Sequence, residues 1–357
     1  MHANFVALDG LRGVAALAVL FFHIPNFTGI MLLPGAYLAV DLFFCISGFV
    51  LTYAYLDRLR AGMSMGHFML RRIIRLYPLY LLSGLLALGY IVTLGSADNF
   101  RGNGPVCFLF NLLLIPMPII WGWHTEMFPV NVFGWTILIE LGASLAFARF
   151  AHMLLSKLAL RRLIVIAASI LVASALIYGQ LNLGISFAQL PGALSRALFS
   201  FCAGMAVAVA RRDGAASPAL SFATIVLLTI IPMAIPLSGG LQIARDLIMV
   251  LLVFPVLVYA SLSCPIDRFI HRIATTLGSA SYGVYILQVP MVAFVASALT
   301  ALGWRPSVAL GLTFAAGLLV FAAIVDQYID RPFRAWLLRM MTRWGQRAPG
   351  GRGMVAP

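Results

Sequence analysis

Residues 5–25 read FVALDGLRGVAALAVLFFHIP. The stretch is mostly apolar over the roughly 20 residues that a helix needs to cross a bilayer core, and Pro25 ends it. Three ionisable residues interrupt it: Asp9, Arg12 and His23. Such groups are costly inside a membrane, which makes each a functional candidate. Arg12 and His23 share one helix face, offset by roughly 20° and separated by roughly 16 Å of rise. Asp9 lies one turn below Arg12, within reach of a pair. The stretch reads as a transmembrane helix carrying a charged stripe from one edge of the bilayer to a histidine near the other. The plainer alternative is a structural Asp9–Arg12 pair plus a histidine at the interface.

The rest of the chain repeats the apolar pattern. Of 357 residues, 62% are hydrophobic and 10% charged, against about 45–50% and about 25% in soluble domains. The mean hydropathy is +1.00. These values exclude a secreted disulfide scaffold, a disordered chain and a nucleic-acid-binding domain. Ten segments are apolar and long enough to span: 5–25, 36–57, 75–95, 133–155, 163–179, 193–210, 218–236, 244–263, 278–300 and 306–328. The expected fold is an all-α, polytopic membrane helical bundle of about ten transmembrane helices over 1–346, with a short disordered cytoplasmic tail at 347–357. Residues 105–120 are apolar but broken by Pro116 and Pro118, and read as a re-entrant or interfacial piece.

The formal charge of +13 follows from topology, because basic residues collect in cytoplasmic loops. With the N-terminus inside, the clusters Arg58–Arg75, Arg149–Arg162, Arg211–Arg212, Arg268–Arg272 and Arg331–Arg352 all fall inside. Only Arg101, Arg196, Arg245 and Arg305 fall outside. Both termini are therefore expected in the cytoplasm, and no nucleic-acid partner is implied. The N-terminus lacks the basic region and A-x-A-like site of a cleavable signal peptide. Cys45, Cys107, Cys202 and Cys264 have no paired spacing and read as small hydrophobes rather than disulfide or metal ligands.

Other charges fall inside the spans. Asp41 stands at the outer side of the second span, at a depth comparable to His23. A carboxylate beside an imidazole fixes its tautomer and raises its basicity, the setting of a general base; the alternative is a helix cap. Arg72 and Arg75, at i,i+3, can face one point and, with Arg12, form a phosphate-binding cluster, or else an ordinary positive-inside anchor. Glu140, one of two glutamates in the chain, lies two turns inside the fourth span, five residues after Trp135, where it serves chemistry or pairs with a buried arginine. Ser279, Tyr282 and Gln288 place polar groups in the ninth span, where interhelical hydrogen bonding is the common role. Asp326, Asp330, Arg331 and Arg334 close the last span, and their bland reading is a helix end with surface salt bridges.

Six segments in order, LDGLRG followed by His23, GAYLAVDLFFCISGF, RRIIRLYP, WTILIE, SYGVYILQVP and DRPFR, resemble the membrane acyltransferase-3 family, bacterial enzymes that O-acylate surface polysaccharides and related acceptors. The resemblance implies a roughly ten-helix domain in the bacterial cytoplasmic membrane. Its co-substrate is acetyl-CoA or another acyl-CoA from the cytoplasm, with no permanently bound cofactor and no metal. It also implies that Arg12 and His23 are essential, that Arg72 and Arg75 are functional, and that Asp9 and Glu140 belong to family motifs. Where the family often has a histidine, this chain has Gln288, which cannot titrate. Some members append an extracytoplasmic hydrolase-like domain, which this sequence lacks.

The expected function is transfer of an acyl group, acetyl by default, from acyl-CoA to a hydroxyl of a carbohydrate or lipid-linked sugar at the outer face of the bilayer. CoA phosphates dock on Arg12, Arg72 and Arg75. His23, oriented by Asp41 or another carboxylate, is the base, with Asp9 and Glu140 as further catalytic candidates. Tyr282, Gln288 and Trp135 are the substrate-contacting candidates. An acyl-enzyme on His23 or Ser47 is a further option. Trp121, Trp123, His124 and Glu126 are candidate sugar contacts, or an interfacial aromatic belt. The rival is a proton-coupled secondary transporter or lipid-linked-sugar flippase, for which inverted repeats are the usual sign; none is seen.

Overall fold

The computed structural model describes residues 5–94, 104–118, 125–151 and 156–347, with side chains to residue 341. Trp121, Trp123, His124 and all but the first residue of the expected tail lie outside the described residues. The described chain is helical throughout, with one isolated bridge between Glu126 and Ser186. The helices are α1 (Val6–His23), α2 (Ala39–Arg60), α3 (Met65–Thr93), α4 (Gly104–Leu112), α5 (Gly134–Phe150), α6 (Lys157–Tyr178), α7 (Leu190–Arg212), α8 (Phe222–Ala234), α9 (Gly239–Ser261), α10 (Arg268–Ala301), α11 (Val308–Val325) and α12 (Arg331–Arg347). A π turn interrupts α9 at Met249–Val253, and another, Asp326–Asp330, joins α11 to α12. Side-chain caps start four helices at one end of the bundle. Ser64, Ser156 and Ser221 accept from His67, Ala159 and Thr224 N–H, and Asp267 accepts from Phe269 and Ile270 N–H.

Among the described residues, eight helices are long and apolar enough to cross a membrane, not ten. Two expected spans, 133–155 and 218–236, fall short. The first forms α5, only 17 residues long. The second forms the 13-residue α8, which begins after the Ser221 cap and ends just past Pro232. The backbone turns extended at Ile235 after α8, while residues 152–155 of the first span lie outside the described residues. Both nevertheless link opposite ends of the bundle. Ahead of α5, Met127 N–H donates to Ile185 O at 2.9 Å, whereas Phe147 near its other end packs with Leu56 and Leu59 of α2. Ahead of α8, Ser217 bonds Ser263, and near its far end Met233 O accepts from Gly35 N–H at 2.9 Å.

Ion pairs mark the basic end: Arg212 with Asp57 at 2.9 Å and Lys157 with Asp213 at 2.9 Å. Residues such as Val165, Leu176 and Ile177 stand exposed on α6, as expected of a lipid-facing surface. Inside, α1 lies against α10 and α2 against α7, and small residues allow both approaches. A Cβ on Gly278 would sit 2.6 Å from the Cβ of Asp9, and one on Gly204 would collide with the backbone of Cys45.

Candidate active site

The α1–α10 contact sets the first part of the site. Arg12 Nε donates to Ser281 Oγ at 2.9 Å, and its Nη2 donates to Gly278 O at 2.7 Å and pairs with Asp9 at 3.2 Å. The Asp9–Arg12 pair therefore exists, and α10 fixes it. Arg12 also lines two adjoining cavities, together with Arg75 and Tyr282. The inner one, about 110 Å³, runs among α1, α2, α3, α5 and α10. The outer one, about 210 Å³, opens between α1, α3, α10 and the Asp326–Asp330 turn.

Arg72, Glu140 and Ser47 meet on the wall of the inner cavity. Arg72 Nη2 is ion-paired with Glu140, its Nε donates to Ser144 Oγ at 3.3 Å, and Ser47 Oγ donates to Glu140 Oε1 at 3.1 Å. Arg72 is buried and ion-paired, and it lines the inner cavity together with Arg12 and Arg75. Glu140 takes the pairing role that was its alternative reading. Arg75, the other member of the i,i+3 pair, makes no hydrogen bond or ion pair among the described residues and faces both cavities. It is the cation left available for an anion.

At the far end of α1, His23 Nδ1 lies 2.8 Å from Val19 O. A carbonyl only accepts, so Nδ1 carries the proton and Nε2 keeps its lone pair. The His23 ring stands edge-on to Phe22 and Phe133, with centroids 5.0 and 5.2 Å away. Phe133 in turn stacks at 4.7 Å on Tyr285, which lines the inner cavity. One aromatic ring thus separates His23 from the cavity wall.

Asp41 is not the partner of His23. It is fully buried and accepts from Arg196 Nε at 3.2 and 3.1 Å and from Nη2 at 2.5 Å. Arg196 also donates to Leu183 O and Tyr37 O, both at 2.9 Å. The backbone carbonyl of Val19 does the orienting that the sequence reading gave to a carboxylate. Trp135 is buried against Gly184 and, like Gln288, lines neither cavity. Gln288 Nε2 donates to Tyr285 O at 2.9 Å, while its Oε1, like the whole side-chain amide of Asn111, is buried with no hydrogen-bond partner among the described residues. Tyr282 lines both cavities, with its hydroxyl donating to Leu76 O at 2.5 Å, and Ser279 lines the outer one. Glu126 lies away from these cavities, bridged to Ser186.

Sequence reasoning missed Arg196, Ser281, Phe133, Tyr285 and the inward turn of Asp330. Only Arg196 left a signal, as a basic residue inside an apolar run. Ser281, Phe133 and Tyr285 are apolar or weakly polar residues whose importance comes from packing, and the burial of Asp330 depends on a π turn that composition does not show.

Three comparisons with known proteins bear on the chain. A family model described as "Acyltransferase domain", of the acyltransferase-3 type, matches residues 5–326. "Protein 2 in picA locus" from Rhizobium radiobacter is similar at 34% identity over 184 residues, 48% of this chain and 95% of that protein. No solved structure matches.

Proposed function

The chain belongs to that acyltransferase family, and on this footing we propose that it moves an acyl group, acetyl foremost, from cytoplasmic acyl-CoA to a hydroxyl of a carbohydrate or lipid-linked sugar at the outer face. The observation that carries this reading is the cavity system, which leads from Arg75, unpaired among the described residues, to a wall at Tyr285 that one further ring, Phe133, separates from His23. Arg75 and Arg12 hold the donor phosphates at the basic end. Arg72 holds Glu140 rather than ligand. The pantetheine arm, about 15–20 Å when extended, matches the rise of roughly 16 Å from Arg12 to His23, and Tyr282 lines its path.

In the reaction, His23 Nε2 takes the proton of the acceptor hydroxyl as that oxygen attacks the thioester carbonyl. The tetrahedral adduct collapses, the C–S bond breaks, and the leaving thiolate of CoA takes the proton from His23. An ester and free CoA result, and the imidazole is restored. Trp135, packed on Gly184 and lining neither cavity, serves packing rather than substrate contact.

Inside-out membrane vesicles, which present the cytoplasmic face to the medium, test the vectorial part of this reading. Given acetyl-labelled acetyl-CoA outside, vesicles carrying the protein should accumulate acetyl ester on enclosed glycan, and right-side-out vesicles should not. Label retained only as free acetate, or equal incorporation in both orientations, would contradict it.

A further inference from the structure

The outer cavity has a second set of charges that phosphate docking on Arg12 and Arg75 does not use. Arg331 Nε donates to Asp326 Oδ2 at 2.7 Å, and Arg334 Nη2 reaches Asp326 Oδ1 at 3.2 Å and Asp330 Oδ2 at 2.8 Å. All four residues line the cavity, and all come from the π turn and the first turn of α12. A π turn changes the register of side chains around the helix and often marks a functional site. Here Asp326 and Asp330 are both buried beside the cavity.

Among the described residues, two polar atoms of this set have no hydrogen-bond partner: Asp330 Oδ1 and Arg334 Nε. Asp330 is only 2% exposed. A buried carboxylate oxygen without a donor is costly, and a helix end or a surface salt bridge gives no reason to keep one. The two groups ask for specific chemistry: a ligand that brings an O–H or N–H to Asp330 and an acceptor, best an anionic oxygen, to Arg334. A phosphate monoester next to a free ribose hydroxyl carries both groups on neighbouring carbons.

We propose that this chamber seats the 3′-phosphorylated ribose of the donor nucleotide, with the phosphate on Arg331 and Arg334 and the adjacent 2′-hydroxyl donating to Asp330 Oδ1. The proposal rests on the reading of acyl-CoA as donor. It places the diphosphate where the two cavities meet, at Arg12 and Arg75, and the pantetheine arm in the inner cavity. The 3′-phosphate thereby becomes a recognition element distinct from the diphosphate.

Titration calorimetry on the full chain tests this, in phosphatidylcholine nanodiscs that offer no anionic headgroup. The ligands are CoA, dephospho-CoA (which lacks only the 3′-phosphate) and adenosine 3′,5′-bisphosphate. Loss of charge-assisted hydrogen bonds should make dephospho-CoA bind about tenfold weaker than CoA, or worse. Arg334→Gln should weaken CoA by a similar factor and leave dephospho-CoA unchanged, because the partner is already gone. Arg331→Gln, at a side chain 57% exposed and so little risk to folding, should show the same coupling in smaller measure. Adenosine 3′,5′-bisphosphate should compete with CoA in the wild type and less so in the variants. Equal weakening of CoA and dephospho-CoA, or no change in either, would overturn the chamber while leaving acyl-CoA as donor intact. Failure of the wild type to bind any of the three would remove the donor reading, and this inference with it.

Discussion

At His23, a hydrogen bond from Nδ1 to the carbonyl of Val19, one turn back on the same helix, fixes the tautomer. The base is thus oriented from within α1. Asp41, by contrast, belongs to a buried ion pair with Arg196 that also ties down the carbonyls of Tyr37 and Leu183. A buried pair is weak evidence for stability as a whole, but removing one partner leaves an uncompensated charge. Asp41→Leu or Arg196→Met alone is therefore expected to cost about 3–5 kcal/mol. The double variant should cost far less than the sum and keep acyl transfer. Denaturant unfolding in detergent, with activity assayed on the same samples, checks both halves. Additive losses, or a stable double variant without activity, would return Asp41 to the chemistry.

The helices explain why some of this was legible and some was not. Membrane spans show in sequence because each needs a long apolar run, and the α1 stripe shows because charges in such a run stand out. Helix ends are set locally, and a serine cap at Ser221 and a proline at Pro232 are how α8 came out shorter than its apolar segment. The Arg72–Glu140 pair was open between two readings because sequence spacing does not say which helices face each other. Helix packing also depends on glycines that hydropathy does not register. At Gly204 the α2 and α7 backbones touch. Gly204→Leu should lower stability by about 3 kcal/mol through overpacking, read as a fall in thermal midpoint. Gly142→Ala, where a Cβ meets nothing within 4 Å, should be neutral or raise stability by up to about 1 kcal/mol.

For the whole molecule, the proposed chemistry requires the basic end to face acyl-CoA in the cytoplasm. Cys264 gives a native probe, since the other three cysteines are buried and it alone is partly exposed, next to Ser263 at the basic end. A membrane-impermeant maleimide should label Cys264 only after cells are permeabilised. Cysteine placed at Ile185, exposed at the opposite end, should label in intact cells. The reverse pattern would invert the orientation and put the arginine-lined mouth on the wrong side for its donor.

The most direct test of donor use and of the base is thioester turnover by the purified protein. Acetyl-CoA is supplied and free thiol followed for the wild type, His23→Ala and Arg75→Gln, with folding of each variant verified by thermal unfolding. The expected result is slow CoA release by the wild type, a loss of about 10²–10⁴-fold in His23→Ala, and a raised KM with kcat little changed in Arg75→Gln. Thiol release that persists undiminished in folded His23→Ala would contradict the assignment of the base. Absence of release by the wild type with acetyl-, succinyl- and longer acyl-CoA, together with no stabilisation of the fold by CoA, would contradict the acyl-CoA reading itself.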